Sequence, residues 1–359
     1  MDTSEMVGTA LGQRGQGRAG GRQVRHVGLP LAIVLSLAAS TVSAGERYAV
    51  IITGASGGAP YAQKYVKLRE AMTTTLRSAF NYKPDHIVVL AETEAGESER
   101  VQKATRENVQ RAFAELQKRL TKDDQLLVLL IGHGTLADSP RASQGPEGSV
   151  GDDGKFNLVG PDLSATEWSE LLKPLSGRLV FVNTTAASFP FLHKLARRGR
   201  VVLTATDSAA QQFETVFPEF FIKAFSDASA DVDKSGRVSI WEAFVYASAA
   251  VRQYFEQKGE LPTERALLDD TGGGLGREAQ APGVDGALAR VTYLEPEPAL
   301  ELPSDAGLAV LVKRRAALEA ALEELKARRE ALSPEQYAAE LERILTELAR
   351  VSLQIKAKS

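Results

Sequence analysis

Short apolar runs alternate with amphipathic stretches along the first two thirds of the chain. Five of these runs are nearly continuous in valine, isoleucine and leucine, and segments with the 3.6-residue period of a helix separate them. Strands that are apolar at every position are buried on both faces, as in a parallel sheet covered by helices. The pattern predicts a three-layer α/β/α sandwich whose mostly parallel sheet ends near Thr206. The predicted strands are 48–53, 86–92, 125–132, 178–183 and 201–206.

The pattern changes after the sheet region. A linker rich in proline and glutamate is predicted over 291–305, because YLEPEPALELPSDA follows neither a strand nor a helix period. Beyond the linker, apolar residues follow a helical spacing in two stripes, one beginning at Leu311 and one at Tyr337. Two helices over 306–357 are therefore predicted, and the short turn between them favours an antiparallel hairpin.

The turn SPEQ marks the boundary between these two helices. Ser333 is the expected N-cap of the second helix, Pro334 takes its first position, and Gln336 completes a capping box. Arg315 and Arg329 interrupt the leucine stripe of the first helix. Two arrangements remain open: the hairpin packs on the main domain or on a second chain, or it is a solvated coiled-coil spacer.

The first 44 residues differ from a folded domain. Arginines in a glycine-rich segment precede an apolar run of about 14 residues, and small residues flank Ser43. A bilayer needs roughly 20 apolar residues, so this run is short for a membrane span. Residues 1–44 are therefore predicted to be a signal peptide cleaved after Ala44, which makes the protein secreted or periplasmic. Retention of the segment as an anchor is the alternative.

The composition limits the chemistry of the mature chain. The sequence contains no cysteine, which excludes disulfides, thiolate metal sites and thiol nucleophiles. The net charge of −3 gives no indication of nucleic-acid binding. The four histidines do not have the spacing of metal ligands, so a zinc site is not expected. A single main domain is predicted over 45–290.

The stretch VIITGASGGAP (50–60) matches two motifs imperfectly. A dinucleotide-binding loop needs a further glycine where this chain has Pro60. Gly54, Ser56 and Gly58 satisfy the G-x-S-x-G pattern of a nucleophile elbow, but that elbow follows a later strand than the first. The stretch is therefore predicted to be a glycine-rich turn at the carboxyl end of the first strand.

The clearest local motif is DVDKSGRVSIWE (231–242). An EF-hand loop has oxygen ligands at positions 1, 3, 5, 7, 9 and 12 and a glycine at position 6. Every position is suitably occupied, with Gly236 at the turn. The predicted ligands of a Ca²⁺ ion are Asp231, Asp233, Ser235, the carbonyl of Arg237, Ser239 through a water, and Glu242.

Helical patterns flank this loop on both sides, so a helix-loop-helix insertion in the main domain is predicted. The segment LLDDTGGGLG (267–276) is similar to a second loop but lacks most of the ligands. A single EF-hand is better suited to holding two helices together than to sensing calcium. A metal-free, aspartate-rich turn is the alternative.

Two polar strand ends carry the remaining candidate chemistry. A Gly-His-Gly turn places His133 directly after the third predicted strand, and Thr185 follows the fourth strand 52 positions later. This arrangement resembles the legumain and caspase superfamily of cysteine peptidases, in which a histidine and a nucleophile follow consecutive strands about 50 residues apart. The segment 201–225 is similar to the next strand and pocket loop of that family. The resemblance covers about residues 48–225.

The resemblance implies a caspase-like fold and assigns His133 as the family's histidine. In that family a thiolate attacks the scissile carbonyl while the imidazole transfers protons. The place of the cysteine falls on Thr185 when counted from the strand, or on Ala186 when counted back from Ser188. Neither residue has a thiol, so family-type peptidase activity is not expected.

Two functions follow from this pattern. In the favoured one, the chain is not an enzyme but a calcium-stabilised pseudopeptidase that binds or scaffolds. A protein or peptide partner would lie at the His133 edge or at the hairpin, with no nucleic acid and with membrane contact only through the signal segment. In the alternative, His133 activates Thr184, Thr185 or Ser188 as the nucleophile of a peptidase or other hydrolase. The first is favoured because no residue that would orient His133 is visible.

Overall fold

The computed structural model describes residues 45–93, 101–136, 153–296, 302–327, 329 and 332–358. The predicted signal peptide, residues 1–44, lies outside the described residues, as does part of the predicted linker, 297–301. No helix in the described part of the chain combines the length and apolarity that crossing a membrane requires.

A seven-stranded sheet forms the centre of the molecule and confirms the predicted α/β class. Its strands are β1 (Arg47–Thr53), β2 (Ile87–Ala91), β3 (Val101–Lys103), β4 (Gln125–Ile131), β8 (Arg178–Asn183), β9 (Arg200–Thr204) and β10 (Leu267–Asp269). They lie in the order β10-β9-β8-β4-β1-β2-β3, and every neighbouring pair is parallel except β9 and β10.

The five predicted strands are all present, but the predicted end of the sheet near Thr206 is wrong. Strand β10 pairs with β9 in the antiparallel direction, with Leu267 opposite Thr204, and extends the sheet beyond that point. A strand of three residues is too short to produce a recognisable period, so the sequence pattern gives no sign of it. A second sheet is formed by β5 (Gly134–Leu136), β6 (Gly154–Phe156) and β7 (Leu163–Ser164).

Helices cover both faces of the main sheet, as the apolar strands predict. The helices of the main domain are α1 (Ala59–Thr74), α2 (Arg106–Arg119), α3 (Ala165–Leu172), α4 (Phe189–Leu195), α5 (Phe217–Ala224), α6 (Ile240–Lys258) and α7 (Ala287–Arg290). Helices α1, α5 and α6 pack on one face, and α2, α3 and α4 on the other.

Alternation along β1 shows how one strand serves both layers. Ala49 and Ile51 belong to the core shared with α1, α5 and α6, whereas Val50 and Ile52 belong to the core shared with α2, α3 and α4. All four side chains have no exposed surface. Successive residues of a strand point to opposite faces, so a strand buried on both sides is apolar throughout.

The C-terminal helices α8 (Ala306–Ala327) and α9 (Pro334–Lys358) form the predicted antiparallel hairpin. Arg314 in the first half of α8 pairs with Glu347 in the second half of α9. The predicted capping box is present, because Gln336 N donates to Ser333 Oγ and Ser333 N donates to the Gln336 side chain.

The hairpin also touches the main domain. Arg178 at the start of β8 forms a 3.2 Å ion pair with Glu324 of α8, and α8 contacts α7. Inside the hairpin, Leu318 and Leu325 of the predicted stripe are buried, and Leu311 and Leu332 are half-buried. Of the two arrangements left open by the sequence, the described contacts correspond to a hairpin packed on its own domain.

Candidate functional sites

The loops after β4 and β8 lie side by side at one edge of the sheet. Leu130 of β4 is in register with Asn183 of β8, so the two strands end together. The backbone next to His133 touches the other loop closely: a Cβ placed on Gly134 would lie 2.6 Å from Thr185 Oγ1. The structure therefore brings the two sequence-predicted positions, His133 and Thr185, to the same edge.

The imidazole of His133, however, is directed away from β8. Its Nε2 atom lies 2.9 Å from the carbonyl oxygen of Ser56 and 3.2 Å from the hydroxyl of Tyr65. The ring of Tyr61 meets the imidazole edge-on at 4.9 Å. Ser56 follows β1, and the tyrosines lie on α1, which begins just after it. Because β1 and β8 flank β4 on opposite sides, the contacts of His133 lie on the side opposite Thr185.

These contacts also fix the tautomer of His133. A carbonyl oxygen only accepts hydrogen bonds, so the Nε2 atom facing Ser56 carries the ring proton and donates it. The Tyr65 hydroxyl is protonated as well, because burial, with the nearby charge of Glu214, raises its pKa above the usual value. The ring nitrogen left to act as a base is Nδ1, which forms no hydrogen bond with any described residue.

The hydroxyl of Thr185 is occupied and fully buried. It donates to Asn183 Oδ1 at 2.7 Å and lies 3.0 Å from the Ala186 carbonyl, while the Thr185 backbone amide donates to the same Asn183 oxygen. This is the hydrogen-bond pattern of an Asx turn, in which a side chain substitutes for backbone partners. Thr185 therefore has the surroundings of a loop-stabilising residue and forms no hydrogen bond with His133.

The two other candidate hydroxyls are buried in the same way. Thr184 Oγ1 donates to the Leu130 carbonyl at 2.7 Å. Ser188 Oγ lies 3.0 Å from Thr206 Oγ1 and accepts from the Thr206 amide. Both side chains are at most 1% exposed, so no water or substrate reaches them in this conformation.

The glycine-rich stretch after β1 forms a turn against the neighbouring strands. Gly54 N donates to the Ile131 carbonyl, and Ala55 N donates to the Asn157 carbonyl. A Cβ on Gly54 would lie only 2.2 Å from that Asn157 oxygen, so a side chain does not fit there. Ser56 contributes its carbonyl to His133, and its own side chain is buried. These contacts agree with the predicted turn. Ser56 is buried and not exposed as the nucleophile of an elbow would be.

The predicted calcium loop lies between α5 and α6. A short 3₁₀ turn, Ala228–Ala230, separates α5 from the first ligand position. Ligand oxygens of Asp231, Asp233 and Glu242 all lie within 4.8 Å of one another. Oxygens around one Ca²⁺ ion at 2.3–2.6 Å are separated by at most about 5 Å, so these three carboxylates can bind one ion together.

The remaining predicted ligands lie within the same loop network. Ser235 Oγ donates to the Arg237 carbonyl at 3.1 Å, and Ser239 Oγ donates to Glu242 Oε2 at 2.8 Å. Gly236 has a φ of 82°, a left-handed conformation that favours glycine at this turn. The donor set is entirely oxygen, which suits a hard cation such as calcium.

A segment from much later in the chain pairs with this loop. Ser239 forms an antiparallel bridge with Tyr293, and Ile240 N donates to the Thr292 carbonyl at 2.8 Å. The Arg237 guanidinium lies 3.9 Å from the centre of the Tyr293 ring. We call residues 292–294 the strap. The end of the loop is thus paired with a later segment of the chain.

In the other aspartate-rich segment, 267–276, the carboxylates accept hydrogen bonds from backbone amides. Asp269 accepts from Gly272 and Gly274, and Asp270 accepts from Gly286 and Ala289 at the start of α7. These carboxylates stabilise turns, which agrees with the sequence prediction that the segment lacks a ligand set.

Sequence reasoning missed the side chains of α1 that surround His133. Tyr61 and Tyr65 are four residues apart and therefore share one face of the helix. Lys64, between them, lies 2.8 Å from both Glu214 and Glu219 and links α1 to α5. Burial lowers the pKa of Lys64, but the two carboxylates outweigh this effect and hold it above its ordinary value. The four-residue spacing of Tyr61 and Tyr65, directly after the glycine-rich turn, was the one sequence feature that could have indicated an aromatic helix face at this site.

Glu264 is the most buried carboxylate near this ion pair. It is 2% exposed and accepts from the amides of Val216 and Phe217 at the start of α5. Burial raises the pKa of Glu264 to about 7, against the opposing effect of the two amides. The charge of Glu219 adds to the rise and that of Lys64 opposes it.

Solved structures similar to this chain are distant from it. Protein GSU0716 from Geobacter sulfurreducens is 12% identical, covers 62% of this chain and 92% of its own, and has a TM-score of 0.41. The Drosophila initiator caspase Dronc is 11% identical over 66% of this chain and 84% of its own, with a TM-score of 0.36. Raptor from Chaetomium thermophilum is 10% identical over 87% of this chain and 36% of its own, with a TM-score of 0.32. Neither a protein-family model nor a curated protein sequence matches the chain.

Glu264 gives the protein a distinctive dependence on pH. The folded protein binds a proton at Glu264 with a pKa of about 7, above the 4.5 that is usual for the group, so it holds the proton more tightly than the unfolded chain. The free energy of unfolding should therefore fall as the pH rises from about 4.5 to about 7, by at most on the order of 3 kcal/mol, and stay level above that range.

Urea unfolding of the wild type and of Glu264→Gln over this pH range measures the effect as a difference between the two proteins. Glu278→Gln, which changes a more exposed carboxylate in the same way, is the matched control and should keep the wild-type slope. An identical pH dependence in wild type and Glu264→Gln would contradict the expectation.

Proposed function

We propose that this chain is an exported, calcium-binding protein whose caspase-like α/β domain has no catalytic nucleophile and acts as a binding or scaffolding module. The observation that carries the calcium part is the convergence of three carboxylates, from Asp231, Asp233 and Glu242, within 4.8 Å. The noncatalytic part is supported by the surroundings of His133 and Thr185. The proposal assigns calcium a structural role between α5 and α6.

The loop residues fit calcium by their chemistry. Asp231, Asp233 and Glu242 would supply carboxylate oxygens, Ser235 and Arg237 would supply a hydroxyl and a carbonyl, and Ser239 would hold a water. Bound calcium supplies positive charge that offsets the repulsion among the three carboxylates. The chain's own residues orient them: backbone amides of Val232 and Ser239 donate to Glu242.

The absence of catalysis is proposed from three features of the strand ends. The sequence contains no cysteine. The candidate hydroxyls of Thr184, Thr185 and Ser188 are buried and hydrogen-bonded. The Nε2 atom of His133 donates to Ser56 on the far side of β4. General base catalysis requires the base within hydrogen-bond reach of the nucleophile, and none of these hydroxyls bonds to the imidazole.

Export is proposed from the basic and apolar pattern of residues 1–44. Gly45 is the residue that cleavage would leave first. It packs against the backbone of Asp123, and a Cβ added to Gly45 would lie 1.7 Å from the Asp123 carbonyl oxygen.

The partner surface proposed for the module is the His133 edge, where Tyr61 is partly exposed, or the hairpin.

Calcium binding should depend on the bidentate position of the loop. Isothermal titration of the wild type should show one site with a dissociation constant of about 0.1–1 mM, the range of extracellular modules. Glu242→Gln should weaken binding at least about tenfold, because it removes a charged ligand. Glu256→Gln, the same change at an exposed position of α6, should leave it unaltered. Equal heats for wild type and Glu242→Gln would refute the calcium site.

A fluorophosphonate probe, which reacts with activated serine and threonine hydroxyls, tests the alternative hydrolase. No labelling of the wild type is expected, because the hydroxyls are buried. Should labelling occur, His133→Ala and His193→Ala separate the causes, since His193 is an exposed histidine on α4 with no role at this edge. Labelling that is lost in His133→Ala and kept in His193→Ala would establish the hydrolase and refute the noncatalytic proposal.

Export predicts a defined amino terminus. When the full chain is expressed in a bacterium with a secretion system, the protein from the periplasm or medium should begin Gly45-Glu46-Arg47, as read by amino-terminal sequencing. An intact Met1 on the mature protein, or its retention with the membrane, would contradict cleavage after Ala44 and favour the anchor.

A further inference from the structure

A cavity of about 110 Å³ lies beside the middle of α6. Neither His133 nor any predicted calcium ligand lines it. One wall is α6 itself, through Ser248 and Val251, and another is the start of α5, through Phe217. Pro262 and Glu264, from the segment that leads into β10, also line it. The cavity therefore lies between elements from three parts of the chain.

The inner surface of this cavity includes a buried carboxylate with spare hydrogen-bonding capacity. Glu264 accepts two backbone amides, from Val216 and Phe217, at the start of α5. A carboxylate has about four acceptor sites, so two remain. Glu264 forms no ion pair with any described residue. The nearby Arg265, which also lines the cavity, is instead paired with Asp207 at 2.7 Å.

A second polar group in the cavity has no partner. Ser248 Oγ is buried, and within the described part of the chain nothing accepts or donates a hydrogen bond to it. A buried hydroxyl without a partner costs roughly 1–3 kcal/mol, so such groups are rare unless a water or ligand satisfies them. Ser248 and Glu264 thus offer unused hydrogen-bonding capacity within one cavity.

The rest of the lining is mainly apolar. Phe217, Val251, Pro262 and three alanines supply hydrophobic surface. The other lining residues are polar or charged: Arg252, Arg265, Glu278 and Gln280. An engineered apolar cavity of about 150 Å³ takes up benzene, so a cavity of this size suits a molecule somewhat smaller than benzene. The cavity combines a small apolar volume with a carboxylate and a hydroxyl.

We propose that this cavity binds a small organic ammonium ion. Its nitrogen is held by the carboxylate of Glu264 and the hydroxyl of Ser248, and its hydrocarbon body lies against Phe217 and Val251. An ammonium group supplies the donors that both oxygens lack and the positive charge that a buried, unpaired carboxylate calls for. A neutral molecule of the same shape would fill the volume but leave the carboxylate uncompensated. The cavity is a different site from the predicted calcium loop, because no predicted calcium ligand lines it.

Isobutylamine and isobutanol, which have nearly the same shape, are the probes. Ligand-observed NMR titration of the full mature protein at about pH 8, where Glu264 is ionised, gives both affinities. The amine should bind at least about tenfold more tightly than the alcohol. Equal affinities, or no binding of the amine, would overturn the proposal, and neither outcome requires a variant that folds.

Substitutions then assign the charge to one residue. Glu264→Gln keeps the size of the side chain and should bring the amine to within about twofold of the alcohol. Glu256→Gln, the same change at an exposed carboxylate of α6 that does not line the cavity, should leave the preference for the amine intact. Undiminished amine binding by a folded Glu264→Gln protein would place the ligand elsewhere and refute the site.

Discussion

The burial of β4 between β1 and β8 is the constraint on which the rest of the structure depends. Residues 126–131 of β4 have almost no exposed surface, and both neighbours run parallel to it. A parallel strand in this position needs helices on both faces, and its backbone donors and acceptors are satisfied only by the flanking strands. The carboxyl ends of the three strands are therefore held together at one edge, where the loops that carry Ser56, His133 and Thr185 begin.

His133 and Thr185 lie on adjacent loops at this edge but form hydrogen bonds with different partners. The strand ends are adjacent, so the backbone would permit a histidine to face a nucleophile. The contacts of the two side chains, however, are separate. The imidazole of His133 is held by the Ser56 carbonyl and covered by two tyrosines of α1, while the Thr185 hydroxyl stabilises its own turn. The polar groups of this edge are therefore satisfied within the chain, and Tyr61 adds partly exposed aromatic surface beside them.

Much of the fold could be predicted from the sequence because burial on two faces leaves a continuous apolar signal. That signal identifies β1, β2, β4, β8 and β9. It fails at the edges, where β3 and β10 have only three residues each and are too short to show a period. The helical hairpin was predictable for a related reason, since the capping residues of α9 act locally and need no distant partner.

The sites were predictable only as far as local spacing determines them. The carboxylates of the predicted calcium loop are brought together within twelve consecutive residues, so the motif alone places them. The direction of the His133 imidazole depends on α1, about 70 positions earlier, and no periodicity in the sequence encodes that contact. Glu264 likewise acquires its buried surroundings from α5 and α6, which lie on separate segments. Both features depend on packing between distant segments, which local sequence patterns do not encode.

The strap has a consequence for how the protein is made. The predicted calcium loop is complete in sequence at Glu242, yet its pairing partners, Thr292 and Tyr293, are synthesised some fifty residues later. The strap is in turn held by Arg47 and Gln125, at the starts of β1 and β4. A ribosome that has just released the loop has therefore not yet produced the strand that supports it. The loop can reach its final pairing only after nearly the whole α/β domain has emerged.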